Sequence, residues 1–172
     1  MASLNVQAQL ANELVSRLEA LAEDRAALAR LKRCAGRPLS ECQRAYSLFY
    51  GLLPSAALGK PWLEETCFLI ATLFALAPSK GGMGLGQALR LAADKSRNDA
   101  SGIQRRLDAL LDADVEDLSF RLRQTVRLLA PKEIAIDWRQ LLLDLLHWEA
   151  PSRHVQKEWA RRFYRADEAA AG

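Results

Sequence analysis

Apolar residues recur along this chain at three- and four-residue intervals and almost nowhere at alternate positions. Leu10, Leu14, Leu18 and Leu21 form the first such stripe, the signature of an amphipathic helix. Glu23-Asp24 interrupts it, and Asp24 is suited to cap a second helix running to about Ala35. On that helix Leu28 and Leu31 share a face, Arg30 and Arg33 point away from it, and Lys32 lies on its flank. Gly36-Arg37-Pro38 ends the helix. Ser40 with Gln43 has the spacing of a capping box for a helix bearing Tyr46, Phe49, Leu52 and Leu53. Pro61 suits the first turn of the next helix, with Glu64 and Glu65 near its positive end. From Phe68 to Leu76 that helix is apolar nearly all round, which predicts a place at the centre of the core.

The stretch Pro78-Ser79-Lys80-Gly81-Gly82-Met83-Gly84 reads as a flexible joint. It lacks the G-K-[ST] ending of a P-loop and the spacing of a dinucleotide fingerprint, so its glycines do not predict a phosphate site. Leu85, Ala88, Leu89 and Ala92 begin a further helix, followed by a polar loop from Asp94 to Gly102. Asp99 or Ser101 can cap the helix of Ile103, Leu107, Leu110 and Leu111, on which Arg105 lies opposite the apolar stripe and Arg106 at its edge. After Asp112-Ala113-Asp114, a helix puts Val115, Leu118, Leu122, Val126 and Leu129 on one side, with Arg123 and Arg127 together off it. Residues four apart on a helix lie roughly 6 Å from one another, close to the spacing of successive phosphates on a nucleic-acid strand. Asp137, with Gln140 three residues on and an Ile136–Leu141 staple, starts the strongly apolar helix that includes Leu141, Leu142 and Leu145. Trp159, Phe163 and Tyr164 close the pattern among Arg161, Arg162 and Arg165, at helical spacing that predicts packing rather than base stacking. No strand is predicted. The expectation is an all-α protein of eight or nine helices, with an N-terminal helical lobe over 1–80 and a C-terminal helical bundle over 81–172, forming one compact unit.

Composition adds direction. Hydrophobic residues make up 50% and charged residues 26%, which places the chain among soluble globular proteins. The longest apolar passage, Thr66 to Pro78, is too short to span a bilayer, and Met1-Ala2-Ser3-Leu4-Asn5 lacks a signal-peptide layout. A cytoplasmic location is therefore expected, with no membrane partner. Cys34, Cys42 and Cys67 follow no metal or redox spacing, and His147 and His154 have no cysteine pair near them. The five acids between Asp108 and Asp117 spread over a helix end and a turn instead of converging. Without a nucleophile–base pair, metal cluster or paired carboxylates, neither catalysis nor a cofactor is expected.

The charge pattern points elsewhere. Net charge is only +3, but 18 arginines stand against 6 lysines, and arginine presents a planar fork of donors matched to phosphate. Between Arg25 and Arg44 six basic residues face one acid, Glu41, a local excess of +5.

Read in order, these features resemble a known family. Ala29-Arg30-Leu31-Lys32-Arg33, the aromatic helix around Tyr46 and Phe49, Leu85-Gly86-Gln87-Ala88-Leu89 and Arg105-Arg106 carry the first part of the likeness. Leu122 to Leu129, Ile136-Asp137-Trp138 and Trp159 to Tyr164 carry the rest. The chain resembles the CasB family, the small subunit of the type I-E CRISPR surveillance complex called Cascade. That resemblance implies an all-helical, non-catalytic subunit with two lobes, present as two neighbouring copies beside other Cascade subunits and the guide RNA. It implies contact with the guide RNA–target duplex and the displaced single-stranded non-target DNA, stabilising the R-loop. Carried over, Lys32, Arg33, Arg105, Arg106, Arg123 and Arg127 are the leading phosphate contacts, with Arg30 and Arg121 behind them. Lysine at position 32, where the family usually has arginine, keeps the charge and loses the fork. The alternative is a purely structural helical dimer or adaptor whose arginines pair with acids on neighbouring subunits.

Overall fold

The computed structural model describes residues 2–165, and its regular structure is helical. Nine α-helices follow one another among the described residues. In the first half they are α1 (Ala2–Ala20), α2 (Arg25–Lys32), α3 (Tyr46–Leu52) and α4 (Pro61–Leu76). In the second half they are α5 (Leu85–Lys95), α6 (Ala100–Leu111), α7 (Val115–Leu129), α8 (Trp138–Leu146) and α9 (His154–Tyr164). Short 3-10 turns at Leu39–Glu41, Gln43–Ala45, Ser55–Ala57 and Ala130–Lys132 fill the connections.

The apolar α4 is the axis of the fold. Cys67, Phe68, Ile70, Ala71, Leu73 and Phe74 on it are all buried, and α1, α2, α7 and α8 pack around it. Because α7 and α8 lie beyond residue 80, the core runs unbroken from Leu10 to Phe163. The caps expected at Asp24 and Asp137 form, whereas Asp99 stands at the N-cap of α6 without a side-chain hydrogen bond to it. Ala27 N donates to Asp24 Oδ1 at 3.0 Å, and Gln140 N donates to Asp137 Oδ1 at 3.0 Å. Asp114 caps α7 by accepting from Asp117 N at 2.9 Å.

Three local expectations fail. Ser40 does not cap α3: it sits inside a 3-10 turn that starts at Pro38, and Gln43 Nε2 donates to Ser40 O instead. That turn is held from outside, since Leu39 N donates to Glu65 Oε2 at 3.2 Å. Val115, placed by periodicity with the buried stripe of α7, is 51% exposed at the helix's first position, and the buried stripe starts at Leu118. The glycine stretch is pinned where a flexible joint was expected. Met83 N donates to Ala135 O at 3.1 Å, and Asp137 N donates to Met83 O at 2.9 Å. Gly82, at φ 118°, has no room for a side chain: a Cβ would meet the carbonyl carbons of Ile136 and Ala135 at 2.6 and 2.8 Å. Here glycine serves close approach of two backbones rather than motion.

A charged group is built into the seam between α8 and α9. Trp159 Nε1 donates to Asp144 Oδ2 at 2.7 Å, and Gln140 Nε2 donates to Oδ1 at 2.8 Å. Burial pushes the Asp144 carboxyl above its ordinary value, with Asp137 adding to the rise, while the two hydrogen bonds and His154 oppose it. The folded protein therefore holds the Asp144 proton more tightly than the unfolded chain. Stability from this group is present below the unfolded pKa of about 3.9 and is lost as pH rises through the raised folded value. Asp144→Asn is expected to raise the urea midpoint at neutral pH, with the gain over wild type shrinking as pH falls toward about 4. A lower midpoint at neutral pH would show that the charge-assisted hydrogen bonds outweigh desolvation.

Candidate nucleic-acid interface

Two helices and one turn build the basic face. On α2, Leu31 and Ala27 point into the core, which leaves Arg30, Lys32 and Arg33 exposed. The chain then turns at Gly36, whose φ of 77° is in the left-handed region that glycine adopts freely. Beyond the turn lie Arg37 and Arg44. Together Arg30, Arg33, Arg37 and Arg44 line an open cleft of about 640 Å³ whose floor includes Cys34, Cys42 and Ala45. Arg30 is fixed in place: its Nη2 donates to Arg44 O at 2.8 Å and to Ser47 Oγ at 3.2 Å. Arg37 pairs with Glu41 at 3.3 Å in an exposed pair, an arrangement worth ~0–1 kcal/mol and readily exchanged for another anion. Burial pushes the Cys42 thiol up to about 12, and its hydrogen bond with Cys34 adds to the rise, so Cys42 carries no charge at neutral pH.

Helix α7 supplies the second part. Leu118, Leu122, Val126 and Leu129 face the core, so Arg127 is exposed and Arg123 half-buried. The stem of Arg123 lies against Gly36: a Cβ on that glycine would stand 2.9 Å from Arg123 Cδ and 3.5 Å from its Cβ. Arg123 Nε is buried without a hydrogen-bond partner, whereas neither terminal nitrogen of that side chain is among the buried unpartnered atoms. The turn after α2 and Arg123 of α7, far apart in sequence, thus touch at one point, with the absent side chain of Gly36 as the socket.

Arg105 and Arg106 are exposed on α6, whose Ile103, Leu107 and Leu110 are buried, and like Lys32, Arg123 and Arg127 they do not line the cleft itself. Arg121 is half-buried and lies 3.8 Å from Asp117, with its Nε also unpartnered. Ion pairing divides the arginines. Among the described residues Arg17, Arg37, Arg90, Arg121, Arg139, Arg161 and Arg162 have carboxylate partners. None of those pairs involves Lys32, Arg33, Arg105, Arg106, Arg123 or Arg127. Arg37 and Arg44 belong to the cleft but were not singled out from the sequence. The excess of positive charge over 25–44 included them, yet they sit in turns, where helical periodicity assigns no face.

The terminal aromatics behave as packing residues. Trp159 and Phe163 are buried, Trp148 and Trp159 meet at a tilt with ring centroids 5.0 Å apart, and the exposed Tyr164 donates its hydroxyl to Asp108 at 3.0 Å. Among the described residues no three His, Cys, Asp or Glu side chains converge to hold a metal, and no helix is long and apolar enough to cross a membrane.

The described residues define a helical protein with an arginine-lined cleft. The sequence matches the model of CRISPR-associated protein Cse2 over residues 27–164, and the chain belongs to that family, CasB/Cse2. It is 41% identical over 103 residues to the CRISPR-associated protein Cse2 of Thermus thermophilus, a match spanning 60% of this chain and 58% of that relative's length. The crystal structure of CasB from Thermus thermophilus superposes with a TM-score of 0.74 at 33% identity, covering 90% of this chain and 97% of that one. A chain of a CRISPR RNA-guided surveillance complex superposes with a TM-score of 0.78 at 26% identity, covering 96% and 97% respectively.

Proposed function

We propose that this chain is a non-catalytic subunit of a type I-E Cascade complex, and that it grips nucleic-acid backbone to stabilise the R-loop in antiviral defence. Its partners in this reading are the other Cascade subunits, the guide RNA, a second copy of itself, the RNA–DNA duplex and the displaced non-target DNA strand. The likeness to a chain of a surveillance complex supports the assembly. One observation supports the contact role: the stem of Arg123, from the second half of the chain, packs on Gly36 in the turn between Arg33 and Arg37, and Arg33, Arg44, Arg123 and Arg127 are in no ion pair among the described residues. Residues 1–80 supply the cleft and residues 81–172 supply Arg123 and Arg127, so the two lobes act as two halves of one surface.

The physics suits the role. R-loop formation exchanges one duplex for another of similar stability, so modest backbone contacts tip the balance. Sequence is read by the guide, and a subunit that touches phosphates has no need of base preference. The test is single-stranded DNA binding by the full chain, and by the complex with and without it, across a salt series. Affinity is expected to fall with salt at a slope of about −0.7 per phosphate contacted. Salt-independent binding, or none, combined with loss of assembly when the arginines are reversed, would instead establish the adaptor reading.

A further inference from the structure

The cleft between α2 and the 3-10 turns holds more than a phosphate track requires. A track needs only cations at a rim, and here Arg33 and Arg44 supply them without carboxylate partners among the described residues. Below that rim is a buried floor of Cys34, Cys42 and Ala45, each less than 8% exposed. Arg30 adds a guanidinium plane whose orientation is set by the Arg44 carbonyl and Ser47 Oγ. The one acid at the edge, Glu41, is compensated by Arg37. At about 640 Å³ the space falls in the range of pockets that enclose small organic ligands, about 300–1,000 Å³. A cationic rim over an apolar floor with a fixed guanidinium plane matches one chemical object: a flat aromatic base attached to a phosphate.

Resting on the nucleic-acid reading above, we propose that this cleft accepts one nucleotide of a bound single strand. The base lies against the Cys34–Cys42–Ala45 floor beside the Arg30 plane, and its phosphate meets Arg33 and Arg44. Arginine stacks on aromatic faces, and stacking is tolerant of base identity because every base has a π-face. The pocket thus holds the strand in place without reading it.

The test compares oligothymidylate with a strand of equal length whose sugars carry no bases, both bound to the full-length protein and followed by fluorescence anisotropy. Wild type is expected to prefer the base-bearing strand about tenfold. Cys34→Leu, which fills the floor, and Arg30→Lys, which keeps the charge and removes the plane, are each expected to erase that preference. Affinity for the baseless strand and its salt slope should stay unchanged in Cys34→Leu. Equal affinity of wild type for the two strands overturns the pocket, as does a preference that survives in both variants. Failure of wild type to bind either strand overturns the nucleic-acid reading itself, and the pocket with it.

Discussion

Trp138→Ala is expected to destabilise this protein by about 3–5 kcal/mol, the usual cost of deleting a large buried aromatic. Trp138 is 2% exposed at the start of α8. Its ring meets Phe74 of α4 edge-on, with centroids 5.8 Å apart, and its Nε1 donates to Ser79 Oγ at 3.1 Å. One side chain therefore ties the central helix, the segment before the glycine stretch and the second half of the chain. For a protein of this size each kcal/mol shifts the melting temperature by about 2–4 °C, so a drop on the order of 10 °C should appear in a thermal melt. Trp138→Phe keeps a ring against Phe74 and loses the Ser79 hydrogen bond, and should cost about 1–2 kcal/mol. A Trp138→Ala melt within a few degrees of wild type would mean that the residue does not couple the two halves. Two separate transitions in that variant would show lobes 1–80 and 81–172 folding as independent units.

The stripes legible in the sequence were those where burial repeats over several turns. Leu10, Leu14 and Leu18, or Leu118, Leu122 and Leu129, leave a helix few ways to orient, and Asp24 and Asp137 announce its start by local chemistry alone. Ser40 and Gln43 had the right spacing and the wrong setting. Pro38, two residues before Ser40, and the Glu65 carboxylate, distant in sequence, commit that segment to a 3-10 turn. Gly82 was misread for a related reason: a glycine that frees a loop and a glycine that lets two backbones touch look identical in one dimension, and only Ala135 and Ile136 distinguish them. The same limit applied to the candidate site. Each arginine could be assigned to a face of its own helix, but not to a common surface, because the contact of Arg123 with Gly36 is purely tertiary. Arg37 and Arg44 lie in turns and became visible only once the cleft closed around them.

The other large effect expected is on binding. Arg33→Glu combined with Arg127→Glu should weaken single-stranded DNA binding about a hundredfold near 0.1 M salt. Each lost phosphate contact costs about fivefold there, from a salt exponent of about 0.7, and reversal adds repulsion. Both side chains are exposed and have no ion pair among the described residues, so the melting temperature should hardly move, in keeping with surface substitutions costing about 0.5 kcal/mol or less. Gly36 then tests whether the two arginine groups act together. Gly36→Asn tolerates the left-handed backbone, as asparagine does more readily than other side chains, but it places a Cβ 2.9 Å from Arg123 Cδ. The Arg123 stem must shift away from that contact, and the expected result is a loss of about fivefold with the salt slope reduced by about 0.7, the signature of one contact. Adding Arg123→Ala to Gly36→Asn should cost little more, because both changes remove the same interaction. Fully additive losses would show that Gly36 does not position Arg123 and that the two halves of the basic face bind independently.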